Sequence, residues 1–213
     1  MFSRRVLLGW LALASALRAQ EGAVPQIFFS KSFPGSKPEY FEVTLDAAGK
    51  AAYREAPDDG DPLRCELAAG ETREIFALAE KLQFFQKPLE TKGVRMARMG
   101  MKTLRYRGAQ HGEAQFNYSE NPDARALVEW FERIGETARY RSDLERAAQF
   151  DRLGVNKALL LFETSLDHNR TVAPEQLLPI LDKIASGAGY LHIAQARAAA
   201  LAERIRSGKR AGK

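Results

Sequence analysis

The chain is poor in the residues that most often carry chemistry. Among 213 residues there is one cysteine, Cys65, and there are three histidines, His111, His168 and His192. A lone cysteine excludes an intramolecular disulfide, so packing alone must hold the fold. No two histidines stand at helical or hairpin spacing, which removes H-E-x-x-H and paired zinc-ligand patterns. G-x-S-x-G, G-x-x-x-x-G-K-[ST] and a strand-linked G-x-G-x-x-G are missing too, and Gly187-Ala188-Gly189 reads as punctuation between helices. Asp58, Asp59 and Asp61 lack the spacing and distant Glu of a calcium loop and read as a polar turn. No catalytic residue, metal ligand or cofactor is therefore assigned.

Charge of one sign is also scarce once it is located. The formal net charge is +5, but Arg4, Arg5 and Arg18 fall within the first 19 residues. From Gln20 onward 29 basic residues face 27 acidic ones, and the tail holds Lys209, Arg210 and Lys213. A near-neutral body argues against a duplex nucleic-acid binder, which must offset many phosphates together.

Long apolar runs are absent after the start of the chain. Residues 1–19 have the order of a signal peptide: positive Arg4-Arg5, an apolar stretch over 6–17, then small residues and a turn to polarity. Twelve residues of helix span about 18 Å against a hydrocarbon core of about 30 Å, too short for a permanent anchor. Cleavage is expected after Ala19, with Ala14-Ser15-Ala16 as the other candidate. Ser3-Arg4-Arg5-Val6-Leu7-Leu8 resembles the twin-arginine export signal, with Leu7 and Gly9 departing from its usual Phe and Lys. The Sec route stays open beside it. No cysteine lies near the cleavage site, so no lipid anchor is expected, and the product is read as exported, periplasmic or secreted, with no transmembrane segment once the leader is removed.

What remains reads as an α+β fold: a small antiparallel sheet with a covering helix, followed by an all-helical C-terminal region. Residues 20–120 form the α+β unit, 121–207 a helical region packed on it, and 208–213 a disordered tail. Strands are expected over 27–33, 40–46, 51–55, 102–107 and 113–118, with turns at 46–50 and 108–112, the latter containing His111. Leu63-Arg64-Cys65-Glu66-Leu67 alternates, so Cys65 is expected buried beside Leu63 and Leu67. Ile75, Leu78, Ala79 and Leu82 mark a helix ending near Phe85. Asn121-Pro122-Asp123 is a strong helix start: Asn caps, Pro fits the first position, and Asp meets the positive dipole end. Ser142-x-x-Glu145 resembles a capping box, so that helix either restarts there or runs to about Leu153. Glu129, Glu132 and Glu136, interleaved with arginines, read as its solvated face. Later helices are read at 155–166, around 174–185 with Pro179 either kinking it or in its first turn, and at 190–207 with a stripe through Leu191, Ala194, Ala198, Leu201 and Ile205.

One segment departs from the average. Residues 87–107 hold seven cations against Glu90 alone, with Met96, Met99, Met101 and Tyr106 among them. Lys102 is expected to face opposite to Leu104 and Tyr106, and Arg105 and Arg107 to point to solvent together. Arg95, Arg98, Lys102, Arg105 and Arg107 are thus the candidate contacts for an anionic ligand or surface. A charged edge strand with its lead-in loop explains the same residues without a ligand.

The order of strand, Asp46 to Gly49 turn, strand, helix ending in Leu82-Gln83-Phe84-Phe85, polar loop, hairpin and Asn121-Pro122 helix resembles uncharacterised small exported bacterial domains of unknown function, over about 35–135. That resemblance implies the fold and brings no activity or site. Three functions follow in order: an exported non-catalytic interaction module whose partner is an envelope protein or polymer, a binder of an anionic ligand through 87–107, and an enzyme with a site lacking familiar motifs.

Overall fold

Alternation along the strands decides the architecture. In the computed structural model, which describes residues 24–93 and 100–208, six strands form one sheet: β1 (Gln26–Ser32), β2 (Tyr40–Asp46), β3 (Lys50–Arg54), β4 (Leu63–Glu66), β5 (Met101–Arg107) and β6 (His111–Phe116). Their spatial order is β4-β3-β2-β1-β5-β6, and every neighbouring pair is antiparallel. Ile27 and Phe29, Val43 and Leu45, Ala51 and Tyr53, and Leu104 and Tyr106 all turn to one face and are buried there. The opposite face receives Phe28, Glu42, Thr44, Arg54, Arg105 and their polar neighbours, as a period of two requires. The protein is α+β, with its helices mostly in the C-terminal half.

Local chemistry closes the hairpins. The Asp46 carboxylate accepts the backbone N–H groups of Ala48 and Lys50, each at 2.9 Å, which fixes the β2–β3 turn. His111, expected in a turn, is instead the first residue of β6 and pairs with Arg107. The hairpin needs only 108–110 to reverse, so pairing takes in His111 and Gly112, two residues more than the glycines suggest.

After β4 the chain forms α1 (Ala69–Lys81), which buries Ile75, Leu78 and Ala79 against the apolar side of the sheet and returns the chain to β5 on the far side of β1. Beside it lies α2 (Pro122–Phe150), 29 residues and about 43 Å long. Asn121 Oδ1 accepts the N–H groups of Asp123 and Ala124 at 2.9 and 3.3 Å, so the expected start is the observed one. The helix runs through Ser142 without a break. Its first half places Leu127, Phe131, Ile134 and Ala138 in the core shared with the sheet, where the Phe131 and Phe29 rings stack at 5.2 Å. Its second half gives Leu144 and Ala148 to another core, built with α3 (Val155–Asp167), α4 (Leu178–Ser186) and α5 (His192–Arg206). Pro179 lies in the first turn of α4, where its missing N–H costs nothing, and a 3-10 turn over Pro174–Leu177 precedes it. On α5, Ala194, Ala198, Leu201 and Ile205 are buried as expected, whereas Leu191 precedes the helix and is exposed.

A buried hydroxyl ties the halves together. Thr137, fully buried on α2, donates to the Arg133 carbonyl at 2.8 Å and accepts the Val172 N–H at 3.0 Å, and Val172 sits in the sheet-side core. Thr137→Val keeps the shape but strands that N–H, an expected loss of about 2 kcal/mol in urea denaturation. A change within error would mean that water reaches Val172.

The signal-peptide reading of 1–19 and the tail reading beyond Gly208 lie outside the described residues. Among the described residues no helix is long and apolar enough to cross a membrane.

Candidate functional site

The cationic segment does not form one patch. Arg95 and Arg98 lie outside the described residues. Lys102, expected to face away from Leu104 and Tyr106, shares their face: it is two residues from Leu104, and only 8% of it is exposed. Its stem lies in the helix-facing layer, while Nζ donates to the carbonyls of Gly100 at 3.2 Å and Asn117 at 2.9 Å. Burial, reinforced by nearby Lys31, lowers its pKa from the ordinary lysine value. Lys102 therefore holds the root of the β5–β6 hairpin and is not part of a solvent-facing cation cluster.

Arg105 and Arg107 do share the uncovered face. The Arg105 guanidinium lies 5.0 Å above the Phe28 ring and its Nε donates to Glu113 at 2.6 Å across β5–β6. That hydrogen bond is the main reason the Glu113 carboxyl is held below the usual carboxylate range. Arg107 is exposed, and the two arginines line a shallow depression of about 80 Å³ with Gln26, Phe28 and Thr44.

Across β1 and β2 the depression meets a wider groove of about 640 Å³, which also uses Gln26 and Thr44 and is bounded by Lys50, Arg54, Arg64 and Glu66. Glu42, only 7% exposed, anchors the middle of this face: it accepts the Tyr40 hydroxyl at 2.6 Å and Arg54 Nη1 at 3.2 Å. Burial, then the Glu42 bond, pushes the Tyr40 phenol up to about 12, so it stays a neutral donor. The surface that results is broad, cross-linked in the middle by the Glu42 hydrogen bonds and of mixed charge.

Two expectations about single residues change. Glu132 and Glu136, read as a solvated face of α2, bridge to other elements: Glu132 pairs with Lys31 at 2.7 Å, and Glu136 takes Arg170 through two bonds of 2.6 and 3.1 Å. Cys65 packs against the core as expected, yet it is half-buried, because β4 is an edge strand. Burial still raises its thiol to about 11, leaving about one part in a thousand as thiolate at pH 8. Iodoacetamide is therefore expected to label native protein on the order of a hundredfold more slowly than a free cysteine. Equal rates would mean that β4 detaches readily.

Among the described residues, no group of three or more His, Cys, Asp or Glu is placed to hold a metal ion. No protein-family model matches the chain, and no curated protein matches it.

Proposed function

We propose that this protein is an exported interaction module that binds a partner protein without catalysis, and that the uncovered face of its sheet is the binding surface. The observation that carries the reading is one-sidedness: α1 and α2 cover one face of a six-stranded sheet, while the other presents a continuous surface from Arg107 to Arg64. Five cations (Lys50, Arg54, Arg64, Arg105 and Arg107) share it with Glu42, Asp46, Glu66 and Glu113. A surplus of one charge over so large an area suits a partner of mixed charge far better than a polyanion. Export rests on the order of charge, apolar run and small residues in the leader. Kinship with exported bacterial domains of unknown function rests on the layout of 35–135 alone.

The test is capture from a bacterial envelope fraction by wild type and by Thr44→Arg with Arg64→Glu. A partner held by wild type and lost by this variant supports the reading. Equal capture by both, or none by either, removes it. The polyanion alternative makes a different forecast: heparin retention that falls steeply with salt and vanishes when Arg95, Arg98 and Arg105 become Glu.

A further inference from the structure

Away from the uncovered face, where the connection from β1 to β2 approaches α2, the surface opens into a cleft of about 170 Å³. A cavity of about 150 Å³ accepts one benzene ring. The space therefore fits a single six-membered ring and is too small for a nucleotide or an oligosaccharide.

Its walls suit such a ring. Phe41 and Tyr53, with centroids 5.9 Å apart, supply aromatic surface, and Phe33, 37% exposed, stands at the rim beside Pro38. The α2 side is made by Gly135, where an added Cβ would lie 3.0 Å from the Phe41 ring and 3.3 Å from that of Tyr53. Glycine in a helix interior costs about 1 kcal/mol relative to alanine, and here it lets backbone form the wall.

The charges sort into satisfied and available ones. Lys31 with Glu132, and Glu136 with Arg170, are close pairs that cancel. Lys37 is exposed and has no ion-pair partner among the described residues. Among the described residues Arg139 pairs with Glu55 alone, at 3.8 Å, and the same Glu55 oxygen already accepts the Tyr53 hydroxyl at 2.8 Å. Two under-committed cations thus border an aromatic cleft.

We propose that this cleft binds a small aromatic carboxylate, its ring against Phe41 and Tyr53 and its carboxylate between Lys37 and Arg139. A ring bearing an amine would bring positive charge to both cations, and a neutral ring would leave them unanswered.

Isothermal titration of the full chain with benzoate at low ionic strength tests this, with benzylamine as the same ring of opposite charge. Saturable one-to-one binding of benzoate at millimolar concentration, and none of benzylamine, is the expected result. Changing Lys37 and Arg139 together to Gln should weaken benzoate by about tenfold with an unchanged melting temperature. Should the double variant lose stability, Lys37→Gln alone, on an exposed side chain, must still weaken it. Changing Arg105 and Arg107 to Gln should leave benzoate binding intact. Absence of benzoate binding, equal binding of benzylamine, full affinity after loss of Lys37 and Arg139, or loss of binding on changing Arg105 and Arg107 would each overturn the proposal. Because the last variant alters the uncovered sheet face, failure here is distinguishable from failure of the docking reading.

Discussion

Changing Phe131 to alanine is expected to destabilise the protein by about 4 kcal/mol, because the ring is fully buried and stacks on Phe29 at the centre of the sheet. For a chain of this size that loss corresponds to a melting temperature lower by about 10 °C. The larger consequence concerns cooperativity. Since α2 supplies Phe131 to one core and Leu144 to the other, loosening its first half should weaken the frame on which α3, α4 and α5 assemble. Calorimetry of the variant should therefore show one transition, displaced as a whole. Two separated transitions, with only the earlier one moved, would mean that the helical region folds independently of the sheet. A loss below about 1 kcal/mol would mean that the site collapses around the missing ring.

The parts of this fold that were legible in the sequence share one property: their local pattern agrees with their tertiary role. In β2, Phe41, Val43 and Leu45 alternate with Glu42 and Thr44, and the sheet uses that alternation directly. Asn121-Pro122-Asp123 starts α2 because cap, proline and acidic first turn all favour the same event. Where local signals were ambiguous, packing decided. Ser142 and Glu145 have the spacing of a helix start, but Leu144 and Ala148 continue an apolar seam into the second core, and Arg141 pairs with Glu145 at 2.9 Å along the unbroken helix. A capping box contributes about 1 kcal/mol, less than burial of those side chains.

The sites were harder to see, for a different reason. Lys102 looked like surface because lysine seldom enters a core, yet its long stem can lie among apolar neighbours while the amine reaches two carbonyls at the end of the hairpin. Nothing in residues 102–107 announces those carbonyls; Asn117 is fifteen residues away. The cleft beside α2 was invisible on the same grounds. Phe41 shares the alternating face of Val43 and Leu45, and nothing local sets Tyr53 or Gly135 apart from their neighbours. Only their meeting, across more than eighty residues of chain, turns a missing side chain into a wall.

Gly112 offers a test in which the sign of the effect decides. In isolation, replacing a strand glycine by alanine should stabilise by roughly 0.5 to 1 kcal/mol, because alanine loses less backbone freedom on folding. Here the opposite is expected. An added Cβ at Gly112 would lie within bonding-like distance of the Phe84 carbonyl oxygen and 2.9 Å from both Gln86 N and Phe85 C, all of them backbone atoms. Side chains could turn aside, but this stretch is fixed: Gln83, Phe84 and Phe85 all have positive φ, Phe85 is fully buried, and the Phe84 ring lies 4.6 Å from that of Tyr106. Tyr106 is itself the cross-strand partner of Gly112. Relief of the clash would require the segment after α1 to lift from β6, uncovering Phe85 and separating the Phe84 ring from that of Tyr106. Gly112→Ala is therefore expected to cost about 3 kcal/mol in urea denaturation, toward the upper end for overpacking. It should also change the near-ultraviolet dichroism of Tyr106 and Phe84. A neutral or stabilising result would show that the 83–85 crossing is not seated on β6, and the left-handed backbone there would then need another cause.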